Sequence, residues 1–441
     1  MVAVKDRTPA PALRDRRAEL FALREISWGL TPPGGWPRCS GAECGNPRCS
    51  ATPERTHPIF DRPRRCGRTG GYLTPGINRR PTLDGRGTGW RASLAGVETC
   101  GSIWVCPPCS AKIRYRRGQA LDAVLRTHLE GGGGALFLTL TARHSHWMKL
   151  GDLLEAILEA WRKRIVAGAQ WVKDQEMFEI IGWVRSVEVT WSFNAGWHPH
   201  IHAVLLTGRE LSDAEREALA ARIFDRWTSK VAALLGAEGA PTEEGQRLLP
   251  VYSSDVGLYI TKMTGNDDGS EGIKTRLATE MTRGDLKQGR GASLTPWELL
   301  RATTAEGSFS GRARALWWEY EAATKGRRLM GWSKGLRELL GAESEEAERQ
   351  LALDADAEAE RVFTFQSPGE LWRVASTPGL LALLLSVAEA GGTAAEVEAQ
   401  IRLMIAVRAP KPPPLPPPKL GPPEDWRQVI GQLDLVRDAA A

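Results

Sequence analysis

Three of the seven histidines in this 441-residue chain fall within five residues, His198-Pro199-His200-Ile201-His202, ahead of the apolar run Ala203-Val-Leu-Leu206. On a strand, residues two apart share a face, so His200 and His202 project together while Ile201 points the other way. Two neutral imidazoles converging from one strand form half of a site for a divalent cation. His198 lies on the same side if the strand has begun before Pro199, which a proline there leaves open. A third ligand is expected from a neighbouring strand. Glu188, in Val187-Glu188-Val189-Thr190, is the candidate, because the turn signal Asn194-Ala195-Gly196 can fold the two segments into a hairpin and bring it opposite His202. A carboxylate in so apolar a strand needs a partner. The alternatives to a metal are a pair with Arg185 or exposure at a sheet edge.

A second group is Asp255-Val-Gly-Leu-Tyr259-Ile-Thr-Lys262. On a helix these three side chains share a face at i, i+4 and i, i+3 spacing. That sets a potential nucleophile beside a cation and a carboxylate. A phenol is mostly protonated at neutral pH, and a nearby ammonium or metal ion favours the phenolate. Alone the pattern is weak, since a tyrosine on an amphipathic helix is usually core.

All seven cysteines lie in the first quarter of the chain. Cys106-Pro-Pro-Cys109 is a Cys-x₂-Cys knuckle; Cys100 precedes it, and Cys66 is a plausible fourth thiolate. Four soft ligands suit structural Zn²⁺, the alternative being buried free thiols. Lys112, Arg114, Arg116 and Arg117 follow on an expected helix and are candidates for DNA phosphates. Cys39, Cys44, Cys49 and His57 can form a second, unusually spaced cluster. His144 and His146 follow the first strand and could approach the site, though exposed loop residues are the preferred reading.

The elements that must position these groups follow from periodicity. Ala135–Thr141 reads as a buried strand, 151–167 as an amphipathic helix, and Ile180–Phe193 with Pro199–Leu206 as a hairpin. Ser212 and Glu215 form a capping-box pattern that opens a helix to about Leu235. Strand, helix, strand, strand, helix, helix predicts an antiparallel α+β sandwich with helices packed on a central sheet. The expected domains are a disordered N-terminus (1–35), a Cys-rich, basic, zinc-binding region (36–130), the α+β domain that carries the histidines and Tyr259 (135–293) and a helical C-terminal region (294–409). A proline-rich linker (410–423, nine prolines in fourteen residues) and a short helix (424–441) complete the chain. Within the helical region, Glu343–Glu360 reads as an acidic, solvated helix.

Charge is placed unevenly. Net charge is +5, yet residues 1–130 carry 22 Lys and Arg against 11 Asp and Glu, so a basic front precedes an acidic body. That suits a polyanion held by one region, or a merely solvated basic surface. No apolar run approaches the ~20 residues of a membrane span. An odd cysteine count without a signal-peptide pattern fits reduced thiols in a cytoplasm. Among 17 tryptophans, a few near the basic region could stack on unpaired bases, and the sequence does not say which.

Phe137-Leu-Thr-Leu-Thr141, His198–His202 and Tyr259-Ile-Thr-Lys262, in that order, resemble the three motifs of rolling-circle replication initiators, the HUH endonucleases. They are similar to the single-tyrosine plasmid Rep branch, which carries an acid four residues before the tyrosine and a lysine three after it. Asp255 and Lys262 occupy both places, with Asp where Glu is commoner. Arg327–Arg337 and Cys100–Ile113 also look like segments of actinobacterial-type Rep proteins. The resemblance covers roughly residues 64–340 and implies an HUH endonuclease fold. It implies Mg²⁺ or Mn²⁺ held by His200 and His202, and nicking of an origin strand by Tyr259. Lys262 would stabilise charge, and Asp255 would activate water for termination. Double-stranded origin DNA, a single-stranded nick site, a host helicase and a DNA polymerase are the implied partners. An HUH relaxase or transposase shares the same residues. A non-catalytic zinc-containing DNA-binding regulator is the reading from another class.

Overall fold

A computed structural model of the chain describes residues 11–35, 38–39, 57–58, 62–68, 74–81, 89–251, 293–340, 359–375, 377 and 379–406. Two compact units form among these residues. One draws on residues 11–112, 303–307 and 359–406, the other on residues within 113–302 and 308–340.

In the first unit, helix α1 (Pro11–Gly29) occupies ground expected to be disordered. The correction has a physical cause: Leu23, Trp28 and Arg24 are all buried, so docking stabilises a helix whose own periodicity is weak. Strands β1 (Arg38–Cys39) and β2 (His57–Pro58) pair with Cys39 opposite His57, while Cys44 and Cys49 lie outside the described residues. Helix α2 (Arg62–Arg65) precedes Cys66. Strands β3 (Gly76–Pro81), β4 (Trp90–Ala95) and β11 (Glu360–Thr364) make an antiparallel sheet in the order β11-β3-β4. Ile77, Phe363 and Phe365 meet Leu380, Leu384 and Leu385 of helix Leu380–Glu389 in its core. Arg17 of α1 forks onto Glu389 at 3.1 and 2.8 Å. Helix Ala394–Ala406 follows it within the region expected to be helical.

The second unit begins within α3 (Pro107–Glu130) and is built on a six-stranded antiparallel sheet. Its strands are β5 (Gly134–Thr141), β6 (Ile180–Ser192), β7 (Gly196–Thr207), β8 (Arg247–Val251), β9 (Ser293–Leu294) and β10 (Met330–Trp332). The order is β10-β6-β7-β5-β8, with β9 also on β6. This bears out an α+β class with helices and antiparallel sheets. Pleating gives the sheet one largely apolar face on which Leu136, Leu138, Leu140, Val187, Val189, Trp197, Ile201 and Ala203 are all buried, with Arg185 of β6 opposite Ala203 as its charged member. Helix α4 (Leu150–Ala160) packs against β7 through a stripe of Leu153, Leu154 and Ile157, and runs on as a single π turn, Trp161–Ile165. Helix α5 (Ala169–Met177) follows. Helix α6 (Asp213–Gly239) opens on the expected capping box, Ser212 and Glu215 each bonding the other's backbone N–H. Its Trp227 Nε1–H donates to the Thr141 carbonyl at 2.7 Å, which fixes the end of β5.

Residues 294–340 are helical at Pro296–Ala302 and Phe309–Thr324, as expected, but also contribute the short strand β10. Most of the acidic segment 343–360, the segment 255–262 and everything after 406 lie outside the described residues. No single helix among the described residues is long and apolar enough to cross a membrane.

Asp174 of α5 is completely buried and accepts from Arg222 Nε and Arg226 Nη2, both on α6. Breaking a buried pair costs about 3–5 kcal/mol, and the partial exposure of Arg222 lowers that to about 2–3. Asp174→Ala is therefore expected to lose about that much stability in urea unfolding. A change under ~0.5 kcal/mol would show the network to be idle.

Candidate metal centres and the histidine face

The β6–β7 hairpin sets the register of the first centre. Glu188 pairs directly with His200, Ser186 with His202 and Thr190 with His198. On the other side of β7, Thr139 faces His202 and Thr141 faces His200. The expectation that Glu188 would stand opposite His202 is thus off by one pair of residues. The three-residue turn lies one residue earlier than assumed, at 193–195, with Trp191 opposite Trp197 and Ser192 opposite Gly196. Since the side-chain period is two, the slip leaves Glu188 on the histidine face. Arg185, three residues away, points to the other face and toward the Arg328 carbonyl at 3.5 Å.

Glu188, His200 and His202 converge. The two Nε2 atoms are 3.0 Å apart, and Glu188 Oε2 is 3.5 Å from each. Two ligands held ~2.1 Å from one cation at right angles are about 3.0 Å apart, so this spacing suits a shared divalent ion. Thr139 Oγ1 meets His202 Nδ1 at 3.2 Å and the Phe137 ring stacks on the imidazole at 5.2 Å, which aims Nε2 at the cluster. His200 and His202 are nearly buried and Glu188 little more exposed.

His198 shares the face, and the open question of Pro199 is answered by β7 starting at Gly196. His144 is not an exposed loop residue. Its Nδ1 bonds the Ala195 carbonyl at 2.7 Å and its Nε2 meets His198 Nδ1 at 2.7 Å. A carbonyl only accepts, so His144 carries its proton on Nδ1, and its Nε2 accepts a hydrogen bond from His198 Nδ1–H. Burial pushes the His198 imidazole down to about 3, helped by neighbouring His200, and burial also lowers His144. Both rings are neutral at neutral pH. Sequence reasoning missed this dyad because its members are 54 residues apart and only the turn brings them together.

The second centre joins Cys66, Cys100, Cys106 and Cys109, whose sulfurs lie within 4.8 Å of one another. Cys66 Sγ is 3.5 Å and Cys100 Sγ 3.8 Å from Cys109 Sγ. Sulfurs on one tetrahedral cation at ~2.3 Å are about 3.8 Å apart, whereas a disulfide needs ~2.05 Å. Hydrogen bonds from Cys100, Cys106 and Cys109 push the Cys66 thiol down, and bonding with Cys100 and Cys109 pushes Cys106 up. The charge around the cluster fits as well. Arg24 is 3% exposed, its Nε and Nη2 have no hydrogen-bond partner among the described residues, and its guanidinium lies on Phe21 and Trp28 at 4.8 and 4.5 Å. Burial lowers its pKa, while charge on Cys66, Cys106 and Cys109 raises it. A buried, incompletely bonded cation beside four thiols is what a metal-loaded, anionic tetrathiolate would compensate. Trp28 Nε1–H also donates to the Cys66 carbonyl at 3.2 Å. The i−3, i+4 spacing of Phe21 and Trp28 about Arg24 was the available sequence signal.

Of the four cations that follow on α3, Lys112 is exposed and Arg116 and Arg117 are half-buried, but Arg114 is buried and lies near Tyr320. Its turn into the protein is the correction to a solvent-facing phosphate contact. Asp255, Tyr259 and Lys262 lie outside the described residues.

Comparison with known proteins adds relatives. The pattern of a family described as "Replication protein" matches residues 91–217. The chain is 31% identical to "Protein rep" of Streptomyces lividans over 327 residues, covering 60% of this chain and 69% of that one. It is 35% identical to the "Neomycin resistance protein" of Streptomyces cyanogenus over 140 residues, 26% of this chain and 32% of that protein. No solved structure matches.

Arg24→Met keeps the apolar contacts and removes the charge. Zn²⁺ competition against a chromophoric chelator is expected to show about tenfold weaker retention, with the metal-free protein no less stable. Unchanged Zn²⁺ affinity would remove Arg24 from the centre.

Proposed function

Because the chain belongs to the Rep replication protein family, we propose that it is a plasmid or integrative-element initiator that starts rolling-circle replication by nicking and rejoining one origin strand. The observation that carries this reading is the convergence of Glu188, His200 and His202 on one face of the β6–β7 hairpin, flanked by the Phe137–Thr141 strand. In this reading residues 135–293 are an HUH endonuclease domain and 36–130 a zinc-binding region.

Glu188, His200 and His202 would hold Mg²⁺ or Mn²⁺, which when bound polarises the oxygens of the scissile phosphate. The side chains do the rest. Thr139 and Phe137 keep His202 Nε2 aimed at Glu188 and His200, where the ion would sit. The Tyr259 oxygen attacks phosphorus, the bond to the 3′ oxygen breaks, and that oxygen takes up a proton to become the primer hydroxyl. The strand's 5′ phosphate stays esterified to Tyr259. Lys262 lowers the cost of the phenolate and of charge in the transition state. Asp255 takes a proton from water so that hydrolysis frees the protein at termination. Zn²⁺ on Cys66, Cys100, Cys106 and Cys109 would fix the knuckle from which α3 starts, and Lys112, Arg116 and Arg117 would meet DNA phosphates. A host helicase and polymerase would extend the primer.

The test uses a labelled single-stranded origin oligonucleotide with Mn²⁺ or Mg²⁺. Wild type should give a covalent 5′ adduct that mass spectrometry assigns to the peptide bearing Tyr259. Tyr259→Phe should bind the strand without forming it, and His200→Ala should slow nicking by about a hundredfold or more. Asp255→Asn should nick normally and stall at termination. A mobility shift by wild type with no cleavage would instead favour a DNA-binding regulator.

A further inference from the structure

We propose that Trp147 is a stacking platform for one unpaired base of the single-stranded substrate, placed beside the histidine face. This rests on the reading that the histidine face acts on single-stranded DNA. Trp147 is 61% exposed, the second most exposed of the large apolar side chains among the described residues and an unusual setting for so large a ring.

The loop that presents it is fastened at several points. At its start His144 bonds both the Ala195 carbonyl and His198, the latter two residues from His200. At the tip Met148 N–H donates to the Ser145 carbonyl at 3.1 Å, closing a turn around His146 and Trp147. At its end Leu150 is buried and its N–H donates to Glu319 Oε1 at 2.8 Å. The hairpin turn presses on the loop from below. Gly196 has φ +73, and a Cβ there would lie 2.7 Å from His146 Cα. The His146 ring meets Trp147 edge-on with centroids 4.7 Å apart, which holds the indole from one side.

A rigid, exposed indole costs little entropy on binding and offers a π face that any base can use. Arg143 and Lys149 flank it and are exposed, supplying positive charge for the phosphates on either side of a stacked base. Aromatic surface between cations, next to a face built for phosphate chemistry, suits an unpaired nucleotide better than a protein, which would need a broader apolar patch.

The experiment measures binding of full-length protein to a labelled thymidine homopolymer of ~20 nucleotides, to a duplex of equal length and to an abasic strand of equal length. Trp147→Ala is expected to weaken binding of the homopolymer about tenfold, and Trp147→Phe to restore most of the loss. Duplex affinity and Mn²⁺ binding should be unchanged, and wild type and Trp147→Ala should bind the abasic strand equally. Equal homopolymer affinity in wild type and Trp147→Ala overturns the proposal. So does an equal loss on homopolymer and abasic strand, which would report a structural or purely electrostatic role. The wild-type comparison of homopolymer with abasic strand needs no variant, and no difference there also refutes stacking. Failure of the nicking reading would look different: no covalent adduct, with the Trp147 dependence of strand binding intact.

Discussion

The pleat of one strand organises this protein. Along β7, His198, His200 and His202 face one way and Trp197, Ile201 and Ala203 the other. The apolar set is sealed under α4, so a one-residue slip would drive three imidazoles into the core and strip Ile201 and Trp197 of their packing. Register is therefore held by burial on the far side of the sheet, and the polar face inherits its precision without stabilising itself. The same geometry brings Glu188 in from β6 and Thr139 from β5, so three strands separated in sequence contribute to one small volume.

Charge is buried in two contrasting ways. Asp174 is met by two arginines from α6 and is complete within the polypeptide. Arg24 is cushioned by aromatic rings beside four thiols, and Glu188 with its two imidazoles is crowded at 3.0–3.5 Å. The first arrangement stabilises the fold by itself. The other two set ligand-type side chains together in a way that could hold a metal ion, which would link folding to its binding.

Much of the second unit was legible from sequence. The β6–β7 pattern, the capping box at Ser212 and the helical stripe of α4 are local signals, and local signals survive in a single sequence. Other features depend on distant partners. Strand β8 is five residues with a proline, and β11 begins inside an acidic run; each exists because a strand far along the chain pairs with it. Helix α1 has little amphipathic pattern and is fixed by its docking. Glu188 was placed on the right face and opposite the wrong histidine, since the face depends on parity alone and the register on the detailed turn. The candidate ligands were identifiable by residue type; the His144–His198 dyad and the inward turn of Arg114 required tertiary contacts.

The sheet β11-β3-β4 joins residues 76–95 to residues 360–364 across the whole of the second unit. During synthesis residues 113–340 leave the ribosome before the closing strand does, so β3 keeps one edge unpaired through an interval in which the histidine face can already assemble. Loop-closure cost grows only slowly with length, and a prefolded insert shortens the effective loop. Ribosome-borne chains can thus carry a completed β6–β7 hairpin for some time before the sheet beside the cysteine cluster gains its last strand.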